Sequence, residues 1–237
     1  MKAAALIMAG GSGERFAAET GARAAAKQLT PLSGRAMIAW SAEALARASR
    51  VAHVIVVLPA GMESHARAAL LPEATRKLLA FVEGGATRQE SVFNALRAVP
   101  DDVTHVLIHD AARPCVTSQL VERVLDALQS HDAVVPAVAA TDTLVRDYEG
   151  RVDAVIDRVH VAGVQTPQAF RQELIVRAHR EAKARGFHSS DDGSLVLALG
   201  ETVRTVPGER TNIKVTFRDD VAIAEAILGS RTNGVRT

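Results

Sequence analysis

Along most of the chain, short and continuously apolar runs alternate with longer stretches whose apolar positions recur every three to four residues. The runs at 3–9, 54–58, 79–82, 103–109, 133–138 and 203–206 are too short to carry a helical period and predict buried strands. The periodic stretches at 38–48, 62–70, 89–99, 120–129, 172–185, 191–199 and 220–228 predict helices. Strand and helix in alternation imply an α/β fold, a sheet with helices on both faces, as a single domain over residues 1–228. The remainder, 229–237, is polar and without period and is expected to be disordered.

Two segments break this plan. Residues 140–161 alternate polar and apolar positions on either side of a turn at 148–150, which predicts a β-hairpin inserted after a sheet strand. An isolated hairpin is marginal in water, so it needs a surface to lie on, and a second copy of the chain is the simplest candidate. Residues 16–26 are rich in alanine but broken by Gly21, which suits a mobile lid better than a stable helix. Further on, Q-T-P-Q-A-F reads as an extended polar segment about Pro167, and Ser189 or Ser190 offers an N-cap for the next helix. Lys214 falls on a short predicted strand in N-I-K-V-T, where a lysine usually faces solvent.

Composition narrows the function. The 237 residues carry 28 Lys and Arg against 27 Asp and Glu, a formal charge of +1, so no overall field recruits nucleic acid or an anionic membrane. Any cationic site must be local. The single cysteine, Cys115, rules out an intramolecular disulfide and a cysteine metal cluster, and a cytoplasmic enzyme fits. The apolar N-terminus runs into G-G-S-G-E-R without a small-residue cleavage site, and no run reaches the roughly 18 apolar residues of a membrane span, so a soluble, untargeted chain is expected.

Candidate chemistry gathers where predicted strands end. The first run empties into A-G-G-S-G-E-R, residues 9–15, in which Gly10, Gly11 and Gly13 tolerate positive φ and let backbone amides approach phosphate oxygens. Arg15 adds a planar fork of donors, and Lys27 in A-K-Q-L adds a second cation. Neither G-x-x-x-x-G-K-[ST] nor G-x-G-x-x-G is present, which leaves a glycine loop with downstream cations suited to a nucleoside triphosphate. A strand-to-helix turn without a ligand would look the same locally. In E-G-G-A-T-R-Q-E-S-V, Thr87 and Glu90 form a capping box, so a helix begins with Arg88 and Ser91 near its first turn, either gripping a base or sugar or simply capped. In V-L-I-H-D-A-A-R-P a strand ends at Asp110, where α/β sheets place ligands; the carboxylate suits a ribose hydroxyl or Mg²⁺, or else an ion pair with Arg113. His109 beside it reads as a packing residue.

Taken together, these motifs resemble one family, the 2-C-methyl-D-erythritol 4-phosphate cytidylyltransferases, CTP-using enzymes of the non-mevalonate isoprenoid pathway. The likeness runs from about residue 4 to 228: A-G-G-S-G-E-R for A-A-G-x-G-x-R, A-K-Q-L for P-K-Q-[YL], and G-G-A-T-R-Q-E-S-V for G-G-x-x-R-x-x-S-V. H-D-A-A-R-P, V-x-D-R, T-P-Q-x-F and N-I-K-V-T follow in order. The resemblance implies a Rossmann-like nucleotidyltransferase three-layer sandwich with a protruding β-arm, about residues 140–161, that interlocks a homodimer. It implies that Ala9, Gly10, Gly11, Ser12, Gly13, Gly85, Arg88, Ser91, Asp110 and Ala111 surround CTP, with Asp110 on Mg²⁺. Arg15 and Lys27 would act on the triphosphate. Thr143, Arg158, Thr166, Ser190, Lys214 and Arg113 would hold methylerythritol phosphate, with Arg15, Lys27, Arg158 and Lys214 as the catalytic cations. Three departures stand out: Gly10 replaces an alanine, Ala26 replaces a proline with about four extra residues before Lys27, and Ser190 replaces a threonine. The chemistry implied is in-line attack of a phosphate oxygen on the α-phosphorus of CTP, with no protein nucleophile and pyrophosphate as leaving group. A cytidylyltransferase for another polyol phosphate, such as ribitol 5-phosphate, and a non-catalytic nucleotide-binding paralogue are the alternatives.

Overall fold

The computed structural model describes residues 1–11, 16 and 24–233. The strands in chain order are β1 (Ala3–Met8), β2 (Pro31–Leu32), β3 (Arg35–Ala36), β4 (Val51–Leu58), β5 (Leu78–Glu83) and β6 (His105–Asp110). They continue as β7 (Ala133–Ala139), β8 (Leu144–Tyr148), β9 (Arg151–Ile156), β10 (Ala162–Val164), β11 (Gln168–Arg171) and β12 (Arg204–Pro207). The main sheet runs β10-β7-β11-β6-β1-β4-β5, with β12 beside β7. Strands β4 and β6 flank β1 in parallel, β5 extends β4 in parallel, and β11 enters antiparallel between β6 and β7.

Strand alternation splits the core into two layers. From β1, Ala3, Ala5 and Ile7 point to one face, while Ala4, Leu6 and Met8 point to the other. The first face is covered by α1 (Met37–Ala46), α2 (Glu63–Ala69), α3 (Pro72–Lys77) and α5 (Ser118–Ala127); the second by α4 (Arg88–Leu96), α6 (Gln172–Ala184) and α7 (Asp192–Leu197). This is the three-layer sandwich expected. Helix α8 (Asp219–Asn233) seals a third, smaller cluster in which Phe16 packs with Leu32, Met37, Cys115, Val215, Ala224 and Leu228.

The β8–β9 hairpin forms its own two-stranded sheet among the described residues. Glu149 and Gly150 both take positive φ, 49° and 79°, so the turn twists with its strands.

Several expectations are corrected. Helix α8 continues through Asn233, so residues 229–233, expected to be disordered, are helical; Arg231 ties that turn to the Cys115 carbonyl and the Thr211 hydroxyl at 2.8 and 2.9 Å. Helix α7 is capped by Asp191, whose carboxylate accepts from the Ser194 amide, and not by Ser189 or Ser190. Lys214 lies outside any strand, because the Val215 amide bonds the Ala112 carbonyl in place of a ladder partner. The short helix α3 and strands β10 and β11 were not foreseen. The proposed lid, apart from Phe16 and the short 3-10 helix Ala24–Leu29, lies outside the described residues.

Leu6 is fully buried against α4 and α6 partners at the centre of the sheet. Leu6→Ala should therefore lower unfolding stability by about 2–5 kcal/mol, read from urea denaturation. A loss of a few tenths would mean that the two-layer packing is not as described.

Candidate active site

Parallel strands β1, β4, β5 and β6 all end at one edge, and the order of connections reverses at β1, which opens a crevice there. A cavity of about 650 Å³ occupies that crevice, lined by Gly10 and Gly11 after β1, Gly85 to Arg88 after β5, and Asp110 at the end of β6. Lys27 and Lys214 reach it from the 3-10 helix and the segment before α8.

The glycines act by closeness, not by backbone sign. Gly10 and Gly11 do not use the positive φ that glycine tolerates. A Cβ on Gly10 would stand 3.6 Å from the Gly84 Cα, so the loops after β1 and β5 pack backbone to backbone. A Cβ on Gly85 would come within 2.4 Å of the Glu90 Cβ. The Ser91 hydroxyl shapes that loop: it accepts from the Gly85 amide at 3.0 Å and donates to the Thr87 carbonyl at 2.9 Å. Thr87 caps the helix as expected, accepting from the Glu90 amide, while the Glu90 carboxylate reaches back one residue further than a capping box requires and accepts from the Ala86 amide.

Asp110 is the electrostatic centre. Its Oδ1 accepts from Arg88 Nε at 3.1 Å and its Oδ2 from Lys214 Nζ at 2.7 Å. Burial opposes its charge, but the Arg88 and Lys214 cations outweigh burial and hold the carboxyl well below the usual range. Arg88 also donates to the buried Asp192 carboxylate at 2.7 Å; burial again works against the charge, and the two carboxylates overcome it, raising the guanidinium above its ordinary value. Arg113 does not pair with Asp110; its guanidinium donates to the Asn212 carbonyl at 2.8 Å. Lys27 is buried, its ammonium 5.4 Å from the centre of the Phe16 ring, and Gln28 beside it reaches the Gly11 carbonyl.

Beneath Asp110 lies a polar frame. The Thr166 hydroxyl accepts from the Asp110 amide at 3.1 Å and lies 3.0 Å from His109 Nδ1, while His109 Nε2 lies 3.2 Å from the Arg113 carbonyl. The carbonyl can only accept, so Nε2 carries the proton and Nδ1 receives the Thr166 hydrogen. Burial accordingly pushes the His109 imidazole down to about 4. Asn212 closes the frame by donating to the Thr166 carbonyl at 2.9 Å.

Of the residues picked from sequence, Gly10, Gly11, Lys27, Gly85, Arg88, Ser91, Asp110 and Lys214 line the cavity. Ala9 and Ala111 are buried outside its lining, Thr166 is turned inward, and Arg113 is half-buried. Thr143, Arg158 and Ser190 are exposed and outside its lining, Arg158 donating to the Thr141 carbonyl at the foot of the hairpin. Ser12, Gly13 and Arg15 lie outside the described residues. Sequence reading missed Gln28, Thr87 and Thr216 in the lining and Asp192, His179 and Asn212 in the support. Gln28, Thr87 and Asn212 fall inside motifs already singled out, A-K-Q-L, the T-x-x-E capping box and N-I-K-V-T, and Asp192 in the D-D-G that opens α7; His179 carries no local signal.

A crevice with a glycine loop and cations around one buried carboxylate suits a ligand with several phosphates, which puts the chain among the α/β nucleotidyltransferases. Residues 3–230 match the family described as 2-C-methyl-D-erythritol 4-phosphate cytidylyltransferase (IspD), and the chain belongs to it. A protein of that name from Prochlorococcus marinus (strain MIT 9313) is 39% identical over 230 residues, covering 96% of this chain and 99% of the relative. The crystal structure of 2-C-methyl-D-erythritol 4-phosphate cytidylyltransferase from Thermus thermophilus superposes with a TM-score of 0.76 at 35% identity, over 94% of this chain and 97% of that one. The 4-diphosphocytidyl-2C-methyl-D-erythritol synthase from Anaerococcus prevotii DSM 20548 gives 0.81 at 27% identity over 96% of each.

The state of His109 makes stability depend on pH. Its folded value of about 4 lies below the 6.5 of a free imidazole, so the unfolded chain binds the proton more readily, and stability falls as pH drops from 6.5 toward 4. Between pH 8 and pH 5 this group should remove about 2 kcal/mol, seen as extra loss in the native chain relative to His109→Gln in urea unfolding. Equal losses in the two chains would contradict the neutral, tautomer-fixed imidazole.

Proposed function

We propose that the chain transfers the cytidylyl group of CTP to 2-C-methyl-D-erythritol 4-phosphate, releasing pyrophosphate. The observation that carries this reading is the crevice at the strand ends, where Arg88 and Lys214 meet on Asp110 and Lys27 lines the same cavity, in a chain that is otherwise nearly neutral. A phosphate oxygen of the polyol substrate attacks the α-phosphorus of CTP, and the bond from that phosphorus to the bridging oxygen breaks as pyrophosphate departs. The attacking phosphate is already an anion, so no protein nucleophile is needed. The protein's task is to bring two polyanions together and offset the charge that grows between them. Lys27, with Arg15 from the glycine loop, would balance the triphosphate and the leaving pyrophosphate, while Lys214 would orient the attacking phosphate.

Asp110 is the carboxylate in the crevice that would hold Mg²⁺, through the lone pairs its two hydrogen bonds leave. Both its oxygens already serve a cation, and no group of three or more His, Cys, Asp or Glu among the described residues forms a metal cage. Asp110 would be the protein group holding Mg²⁺, and the ion would supply positive charge to offset that of the triphosphate.

The hairpin supports a homodimer. Val152, Val155 and Val159 are 66%, 69% and 75% exposed along and just beyond it, an apolar strip that a second copy would cover. Such an arm would also bring Arg158 and Thr143 to the partner's crevice. No helix among the described residues is long and apolar enough to cross a membrane. Cys115 is a buried free thiol that donates to the Ala224 carbonyl, which is compatible with the cytoplasmic setting read from the sequence.

Pyrophosphate release should require CTP, Mg²⁺ and methylerythritol phosphate together; equal turnover with ribitol 5-phosphate would favour the other polyol class. In Lys27→Ala, kcat should fall by about two orders of magnitude with CTP binding nearly kept, and unchanged kcat would remove Lys27 from the chemistry. Sedimentation at micromolar concentration should give a dimer that Val155→Asp converts to monomers, and a native monomer would contradict the arm-mediated assembly.

A further inference from the structure

Behind the cavity wall, a chain of hydrogen-bonded polar side chains continues into the protein interior. Arg88 faces the crevice through Asp110 and the interior through Asp192. The second oxygen of Asp192, Oδ1, lies 3.1 Å from His179 Nε2, and both side chains are 1% exposed. A carboxylate can only accept, so Nε2 donates. The other ring nitrogen, Nδ1, is buried without a hydrogen-bond partner among the described residues.

That orphaned nitrogen makes His179 a poor choice for packing alone, since an apolar ring of the same size would avoid burying an unpaired polar atom. What the imidazole supplies and a phenyl ring would not is the donor at Nε2. Its plane is set by Phe93, which stacks on it at 6.2 Å with 13° between the rings and stands on α4, five residues after Arg88. Asp192 is fixed in turn: its amide donates to Gln168 Oε1 at 3.1 Å, and it occupies the first turn of α7, where the helix favours a negative charge. The guanidinium of Arg88 is thus gripped from two directions, and only the Asp110 side is open to a substrate.

We propose that His179 and Asp192 are positioning residues for the transfer reaction: His179 orients Asp192, Asp192 anchors one arm of Arg88, and Arg88 is thereby aimed at Asp110 and the bound phosphates. The inference rests on the functional reading above. Neither residue touches the crevice itself.

The test is a double-mutant cycle read as kcat and KM for CTP. His179→Phe keeps the ring and removes the donor, and should lower kcat/KM roughly tenfold, as for a lost hydrogen bond to a charged group. His179→Gln, which restores a donor, should recover most of the loss. Asp192→Asn should cost more, and adding His179→Phe to it should cost nothing further, because His179 acts only through Asp192. Native kinetics in His179→Phe, losses that multiply in the double variant, or a Gln variant no better than Phe would each overturn the proposal. Calorimetric CTP binding without the polyol phosphate separates the two readings. A native chain that binds CTP but does not turn over defeats the assigned reaction alone, and the same ordering of variants is then read in the CTP dissociation constants. A native chain that neither turns over nor binds CTP defeats both.

Discussion

One carboxylate with a cation on each oxygen organises this molecule. Asp110 ends β6 at the sheet edge, nearly buried, where an ionised carboxylate survives only because Arg88 and Lys214 are already in place. The two cations come from opposite directions in the chain. Arg88 opens the helix after the second glycine loop, and Lys214 sits in an irregular segment 104 residues beyond Asp110. Pairing them on one acceptor converts remote sequence into one shared wall, and the crevice exists because that wall is held.

The frame beneath gives the carboxylate a fixed height. Thr166 receives the Asp110 amide, His109 receives the Thr166 hydroxyl, and the Arg113 carbonyl receives His109, so the backbone around the strand end has a partner at each step. Asn212 joins the same frame two residues before Lys214. An arrangement of this kind lets binding energy go into charge neutralisation at phosphorus, because the groups need little reorganisation when a polyanion arrives. It also explains why His109, in the middle of the H-D-A-A-R-P motif, serves structure and not proton transfer: burial keeps it neutral and its proton is fixed at Nε2.

Much of this was legible in the residues. The apolar runs located the strands because buried parallel strands need continuous hydrophobicity, and Thr87 with Glu90 marked the start of α4 because the capping box is a local device. Features that depend on distant partners were not legible. The antiparallel strand β11 carries the mixed sequence Q-A-F-R and owes its place to neighbours on both sides. Thr166 and Ser91 advertise hydroxyls, but the hydrogen bonds that both make within the fold depend on partners that only the structure brings together. Lys214 looked solvent-facing because its partner lies so far away in sequence. The role of Asp192 becomes visible only when α4 and α7 are seen to meet.

The most direct test of this account is Asp110→Asn, which keeps the shape of the side chain and removes the charge that both cations share. With the variant folded by thermal melting, pyrophosphate release from CTP and methylerythritol phosphate should fall by about 10²- to 10³-fold. Turnover within a few-fold of the native chain would contradict the claim that the site is built around this carboxylate.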